Sequence, residues 1–347
     1  MESTSQNHPS PATIMQIGTG YWASKILLAA VEFELFTLLA TKGSMSGANL
    51  KKHLNLACTD RHFFDFLDTL TSFGFLQREG IWDSARYSNG TDTDVFLDKN
   101  KPSYLGGILE MMNHRLYPFW GNLEEGLKTG LPQNEIKEGV NLFEALYSDP
   151  DRLREFINAM SGIQKGNFQV FAEKFDFSPY KTLVDVGGSA GYLSAFCALK
   201  NPHLHCTSFD LPQVEPIAKE TISQFNLGAR LTTASGDFFT DALPKADMIV
   251  MGNILHDWDE KNKQMLVQKA FDALPIGGAF VAIESVIDDD RRKNPFGMMM
   301  SLNMLIETGT GFDYSFPDFN RWAKAAGFSK TELLPLAGPS SAAIAYK

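Results

Sequence analysis

Cysteine is scarce in this chain. Only Cys58, Cys197 and Cys206 occur among 347 residues, and none belongs to a C-x-x-C pair. Three thiols cannot complete a disulfide framework, so a reducing, cytoplasmic setting is expected. No run reaches the roughly 18 consecutive apolar residues of a membrane span. The polar start, Met1–Pro11, lacks the charged-then-apolar order of a secretory leader and reads as a flexible tail. Positive charge is in short supply: 31 Lys and Arg stand against 41 Asp and Glu, a formal net charge of −10. Nucleic acid is therefore a poor partner, because phosphate contacts supply most of such affinity. Internal repeats and low-complexity tracts are also missing. What is present is globular in type, 44% hydrophobic and 21% charged, with a length that suits two domains.

Apolar spacing changes character once along the chain. From about Ile14 to Val170 it is mostly helical, with Ile26, Leu27, Ala30, Val31, Phe33 and Leu38 forming one broad face. Helices are expected over Leu50–Leu56 and Phe63–Phe73, with Thr59 or Asp60 capping the second. Phe75–Leu76, Trp82 and Arg86–Tyr87 read as two short strands about a Glu79–Gly80 turn. Helix, helix and hairpin outline a winged-helix unit. Further helices carry Met111, Met112, Tyr117, Phe119 and Trp120, and then Leu153 to Phe175.

From Pro179 short apolar strands alternate with helical patterns: Thr182–Val186, Leu204–Leu211, Arg230–Ala234, Asp247–Leu255 and Ala279–Val286. That rhythm implies an α/β domain with a parallel, doubly wound sheet covered on both faces. A helix near Pro317–Ala326 and strands Glu332–Leu336 and Ala342–Tyr346 complete it. The expected organisation is a tail over 1–13, a winged-helix unit over 14–100, a helical linker and pocket region over 101–178, and the α/β domain over 179–347.

The densest local signal is Val184-Asp185-Val186-Gly187-Gly188-Ser189-Ala190-Gly191, where the first strand hands over to a helix. Glycines there let the backbone turn sharply and approach a ligand. The spacing is not the G-x-G-x-x-G that a dinucleotide pyrophosphate needs, which disfavours a nicotinamide oxidoreductase. Asp210 closes the second strand, 19 residues beyond Gly191, where such sheets place an acid for ribose hydroxyls. Asp237, followed by Phe238, is read at the end of the third and suits an adenine amino group and ring. Three strand ends thus aim at one nucleoside without phosphates, and S-adenosylmethionine fits.

His256, in Leu255-His256-Asp257-Trp258, closes the fourth strand at the carboxyl edge of the sheet. Imidazole is the side chain best matched to proton abstraction near neutral pH. Glu284, ending the next strand, is the expected orienting acid. Asp313 is a second candidate that the residues alone do not separate from Asp288, Asp289 or Asp318. With no His after 256 and no second ligand-spaced cluster, no metal is expected. Met300, Asn303 and Met304 recur at helical spacing beside Met298 and Met299, and methionines make adaptable walls for flat apolar ligands.

Taken together, Val184-Asp185-Val186-Gly187-Gly188, Phe209-Asp210-Leu211-Pro212, Gly236-Asp237-Phe238-Phe239 and Leu255-His256-Asp257-Trp258 resemble the plant-type small-molecule O-methyltransferases, the caffeate- and hydroxyindole-like family. The resemblance runs from about residue 14 to 347. It implies a Rossmann-like methyltransferase fold behind a winged-helix dimerisation domain, a homodimer, and a small aromatic substrate. It further implies cofactor contacts from Gly187, Gly188, Gly191, Asp210, Leu211, Asp237, Phe238 and Trp258, and a base, His256, flanked by Glu284 and Asp313. Phe156-Ile157-Asn158-Ala159-Met160 resembles the helix that sets Phe156 and Met160 over cofactor and substrate. Two departures stand out: Gly252 replaces the Lys found four residues before the base in plant members, and the second acid is Asp where Glu is usual. The expected activity is methylation of a hydroxyl, which the resemblance implies to be phenolic. Methylation at N or C, or another use of the same cofactor, are the alternatives. A winged-helix DNA-binding regulator is the other class, but residues 41–100 carry seven Lys/Arg against eight Asp/Glu, where a recognition surface would be basic.

Overall fold

Helical periodicity and strand alternation divide the residues described by the computed structural model, 9–135 and 149–347, into two units that meet between His114 and Arg115. Most of the expected tail, residues 1–8, lies outside the described residues, while Ala12 and Thr13 already belong to the first helix.

The first unit contains α1 (Ala12–Gly18), α2 (Gly20–Glu32), α3 (Leu35–Lys42), β1 (Met45–Ser46), α4 (Gly47–His53), α5 (Asp60–Ser72), β2 (Leu76–Glu79), β3 (Arg86–Asn89), α6 (Thr91–Phe96) and α7 (Gly106–Met111). Thr59, not Asp60, caps α5: its hydroxyl accepts the His62 amide at 3.3 Å. Leu35, Phe36, Leu50, Leu67, Leu70 and Tyr87 fill the core under a small antiparallel sheet of order β1-β3-β2. This is the winged-helix outline. Trp82 corrects the strand reading, because it lies in a 3-10 turn at φ +50° between the strands. Ile14, Met15, Ile17, Tyr21 and Trp22 on α1 and α2 are exposed.

In the second unit α8 (Tyr117–Trp120), α9 (Leu123–Thr129) and α10 (Pro150–Lys174) precede the sheet. The βα alternation follows as β4 (Thr182–Val186), α11 (Tyr192–Lys200), β5 (His205–Asp210), α12 (Glu215–Gln224), β6 (Leu231–Ser235), β7 (Met248–Gly252), α13 (Glu260–Ala273) and β8 (Ala279–Glu284). Then come α14 (Pro295–Glu307), α15 (Phe316–Ala326), β9 (Lys330–Pro335) and β10 (Ser341–Tyr346). Strand order is β6-β5-β4-β7-β8-β10-β9; β4 to β8 are parallel, and β10 runs antiparallel to β8 and β9.

The central strands β7 and β8 are apolar on both faces, and their residues alternate between two cores. Ile249, Met251, Phe280 and Ala282 join one with α13 and α15, while Met248, Val250, Val281 and Ile283 join the other with α10 and α11. The chain enters at β4, winds to one edge, then returns to β7 on the opposite side of β4. That reversal opens a crevice at the carboxyl ends of β4 and β7, where ligands bind in open α/β sheets. Two strand ends bear on the site. β7 stops at Gly252 because Asn253 takes φ +55° and the chain turns into a 3-10 turn, Leu255–Asp257. β6 stops at Ser235, so Asp237 lies just past the strand.

Candidate active site

The glycine loop after β4 is shaped by close approach and backbone hydrogen bonds. Gly187 has φ +70° and a Cβ there would run into the Ile254 side chain; one on Gly188 would strike the Ser208 hydroxyl and the Asp185 carbonyl. Both amides donate to the Phe209 carbonyl, at 2.9 and 3.2 Å, so the loop is tied to β5. Gly191, at φ +77°, opens α11. Asp210 accepts the Ser189 amide at 2.8 Å on one oxygen and the Leu211 amide at 2.7 Å on the other. Each oxygen keeps a lone pair for a ligand hydroxyl. Burial raises the Asp210 pKa to about 6, with those two amides opposing the shift.

Beneath the loop Asp185 accepts the Ser194 hydroxyl at 3.2 Å, and burial lifts its pKa to about 7. Asp237 accepts the Phe239 amide at 2.8 Å, and its own amide donates to Asp241 at 2.9 Å. Trp258 meets Phe238 edge-on at 6.0 Å and Phe239 at 4.5 Å between centroids. An aromatic corner therefore joins the loop after β6 to the loop after β7. The glycine cradle and the two acids fit a nucleoside cofactor without phosphates.

At the other end of the crevice His256 sits on the 3-10 turn, buried. Glu284, at the last position of β8, places Oε1 against the start of that turn and accepts the amides of Leu255 and His256 at 3.0 and 3.4 Å. Its Oε2 lies 3.7 Å from His256 Nδ1, and Asp313 Oδ1 lies 3.6 Å from the same nitrogen. Asp313 reaches this place because the Ile287 amide donates to the Tyr314 carbonyl at 2.9 Å, and Ile287 bridges Ser315. The structure thus separates Asp313 from Asp288, which binds the amides of Arg292, Lys293 and Asn294, and from Asp318, which binds Ser315. Gly311 lies against the His256 loop: a Cβ there would stand 2.6 Å from the carbonyl oxygens of both His256 and Asp257.

A third acid escaped the sequence reading as a partner of the ring. Asp257 Oδ1 stands 3.4 Å from His256 Nε2, so carboxylates face both ring nitrogens. Burial disfavours the imidazolium, but Glu284, Asp257 and Asp313 outweigh it and raise the His256 pKa to about 10. Burial in turn raises Glu284 to about 7 and Asp257 to about 6, with His256 opposing. Glu284 therefore holds the imidazolium chiefly at pH values where it is itself ionised. None of the ring contacts is a hydrogen bond; His256 Nδ1, Glu284 Oε2 and both Asp313 oxygens are buried without one. Ligand atoms of His256, Glu284 and Asp313 fall within 4.8 Å of one another, a spacing a cation could use. Among the described residues the buried cation beside these carboxylates is the Lys263 ammonium.

Lys263 and Phe168 were also missed. Lys263 left a signal: it occupies the 263, 266, 267, 270 register of buried positions on α13. Phe168 left none, yet its ring lies 3.1 Å from where a Cβ on Gly252 would be. That ring fills the space which a side chain at position 252 would enter. Of the expected pocket residues, Phe156 packs with Leu153, Ala190 and Val214 beside the glycine loop. Asn303 accepts the Trp120 indole N–H at 2.8 Å, and Met304 is buried; Met160 and Met300 are half-buried on α10 and α14.

Comparison with known proteins gives the same reading. Residues 120–329 match the model of the O-methyltransferase domain, and residues 15–99 match the O-methyltransferase dimerisation domain. The tetracenomycin polyketide synthesis 8-O-methyl transferase of Streptomyces glaucescens is 36% identical over 97% of both chains. The 3-hydroxy-5-methyl-1-naphthoate 3-O-methyltransferase of Streptomyces sahachiroi is 30% identical over 95% of this chain and 93% of its own. Human N-acetylserotonin methyltransferase, solved in complex with SAM, superposes with a TM-score of 0.89 at 27% identity, covering 100% of this chain and 99% of that one. By sequence family, by fold and by the arrangement of the crevice, the chain belongs to the S-adenosylmethionine-dependent O-methyltransferases.

Proposed function

We propose that this enzyme methylates a phenolic hydroxyl of a small aromatic natural product, with His256 as the general base. The observation that carries the reading is a buried imidazole, faced by carboxylates, whose loop touches the glycine cradle: Ile254, two residues before His256, fills the space beside Gly187. The names of the two Streptomyces relatives, a polyketide 8-O-methyl transferase and a naphthoate 3-O-methyltransferase, supply the substrate class.

Asp210 would hold the ribose hydroxyls, Asp237 and Phe238 the adenine, and Trp258 would close the adenosine side. When bound, S-adenosylmethionine supplies an electrophilic methyl group and leaves as S-adenosylhomocysteine. His256 takes the acceptor's proton as its oxygen becomes nucleophilic. Glu284 and Asp313 orient the ring and stabilise its charged form, and Glu284 also fixes the turn that carries it. A positioned base supplies roughly 10²–10⁴-fold, while alignment of the two reactants supplies about 7–11 kcal/mol. Positioning is the larger effect.

Phe156, Met160, Met300, Asn303 and Met304 are proposed to line the acceptor pocket. The dimerisation domain, with exposed Ile14, Met15, Ile17, Tyr21 and Trp22, is proposed to pair two copies. Among the described residues no helix is long and apolar enough to cross a membrane.

The test is incubation with methyl-labelled cofactor and a panel of phenols, naphthols and their amine counterparts. Label in the phenolic products, with S-adenosylhomocysteine formed in step, is expected. Label only in amine products, or cofactor consumed without methyl transfer, overturns the assignment.

A further inference from the structure

Lys263 is fully buried on the core-facing side of α13, a costly place for an ammonium group. Its surroundings explain how it stays there. The ammonium donates to the Trp258 carbonyl, on the loop that carries His256, and stands 3.5 Å from the centroid of the Phe312 ring, on the loop that carries Asp313. The charges of four carboxylates act on it: Asp257 on the His256 loop, Asp259 at the start of α13, Glu284 on β8 and Asp313 before α15. One cation therefore touches both walls of the base site. Its charge is the counterweight to the acids that surround the imidazole: three carboxylates close on His256 from both ring nitrogens.

We propose that Lys263 is a positioning residue for methyl transfer, pinning the His256 loop to the Asp313 loop and offsetting the surrounding carboxylates so that the imidazole can give up its proton and serve as base. The inference rests on the assignment of His256 as base. Two directions support it. Burial lowers the Lys263 pKa to about 8 against the pull of its carboxylates, and those carboxylates raise that of His256. Removing a positive charge from this cluster raises the imidazole's affinity for a proton, because it leaves the acids less neutralised.

The experiment follows the His256 ring itself and needs no acceptor. Full-length protein labelled at histidine Cε1 is titrated by NMR, with the His256 signal assigned by its loss in His256→Ala. Lys263→Arg keeps its charge across the whole titration and Lys263→Met has none, so the His256 midpoint in Lys263→Met should lie about one pH unit above that in Lys263→Arg. Equal midpoints in the two proteins, or a lower one in Lys263→Met, overturn the proposal, because a merely structural lysine would change thermal stability alone. Should Lys263→Met fail to fold, the charge-compensated Lys263→Met/Asp257→Asn protein decides. Its midpoint should lie above that of Lys263→Arg/Asp257→Asn, and equal midpoints overturn the proposal. Turnover of His256→Ala is read separately: full activity there sinks the base assignment, whereas an inactive His256→Ala with equal midpoints in Lys263→Met and Lys263→Arg sinks only the role of Lys263.

Discussion

The two ends of the crevice are built on opposite principles. At the glycine loop, backbone groups do the shaping: the amides of Gly187 and Gly188 are tied to Phe209, and Asp210 is held by Ser189 and Leu211. At the base, charged side chains crowd together in the interior, and four of their polar atoms are buried without a hydrogen bond. A cradle with its hydrogen bonds already made binds a ligand with little rearrangement. A cluster of partly compensated charges instead has a proton equilibrium that its neighbours set, and this is what a general base requires. Affinity and turnover should therefore be separable by mutation.

The most severe break of that separation is His256→Ala. Turnover should fall by about 10²–10⁴-fold, while cofactor affinity, measured by calorimetry, stays near wild type. In the wild type, kcat/KM should rise with pH toward the His256 value of about 10, since the imidazolium must lose its proton before it can act as base. A profile that falls across the alkaline range contradicts that.

Gly311→Ala attacks the same end through geometry alone. A Cβ 2.6 Å from two carbonyl oxygens of the base loop forces backbone to move. Displacement of about 1 Å costs on the order of 10²-fold, and the loss should appear in kcat with cofactor affinity retained. A loss of affinity instead would mean that the ends are mechanically coupled.

Asp237→Ala probes the opposite end. Losing one charge-assisted hydrogen bond, about 1.5 kcal/mol, should weaken cofactor binding about tenfold and leave kcat at saturation little changed. The smallest effect is expected at Asp185, beneath the glycine loop. Its folded pKa, about 7, lies above the ordinary carboxylate value, so the folded state holds a proton that the unfolded state has lost. Stability conferred by this group is present below the ordinary value and declines as pH rises through about 7. Asp185→Asn should thus gain roughly 2–4 °C in thermal midpoint at pH 8, and little or nothing at pH 4, in paired melting curves.

The glycine loop after β4 and the placing of Asp210 and Asp237 were legible from local signals. Glycines followed by a helix, and acids at or just beyond strand ends, are consequences of backbone geometry, which acts over a few residues and leaves its mark in the order of the chain. The alternation of strands and helices was equally legible, because a sheet buried on both faces demands continuous apolar runs. Trp82 shows the limit of such reading: an aromatic between two strand segments looked like strand, but its positive φ makes it part of the turn.

Most of the cluster around His256 depends on the fold. His256 and Glu284 could be read from their positions at strand ends, yet Asp313 became distinct from Asp288 and Asp318 only through the contact of Ile287 with Tyr314 and Ser315. The approach of Asp257 to the second ring nitrogen, the Phe168 ring beside Gly252 and the position of Lys263 between two loops are likewise tertiary facts. Preferences for a glycine turn, a buried strand or a proton acceptor were readable in the chain, because they reside in single side chains and their near neighbours. Which charges share one buried space depends on the fold. Electrostatic influence in the interior follows distance through the folded molecule, and residues far apart in the chain meet there.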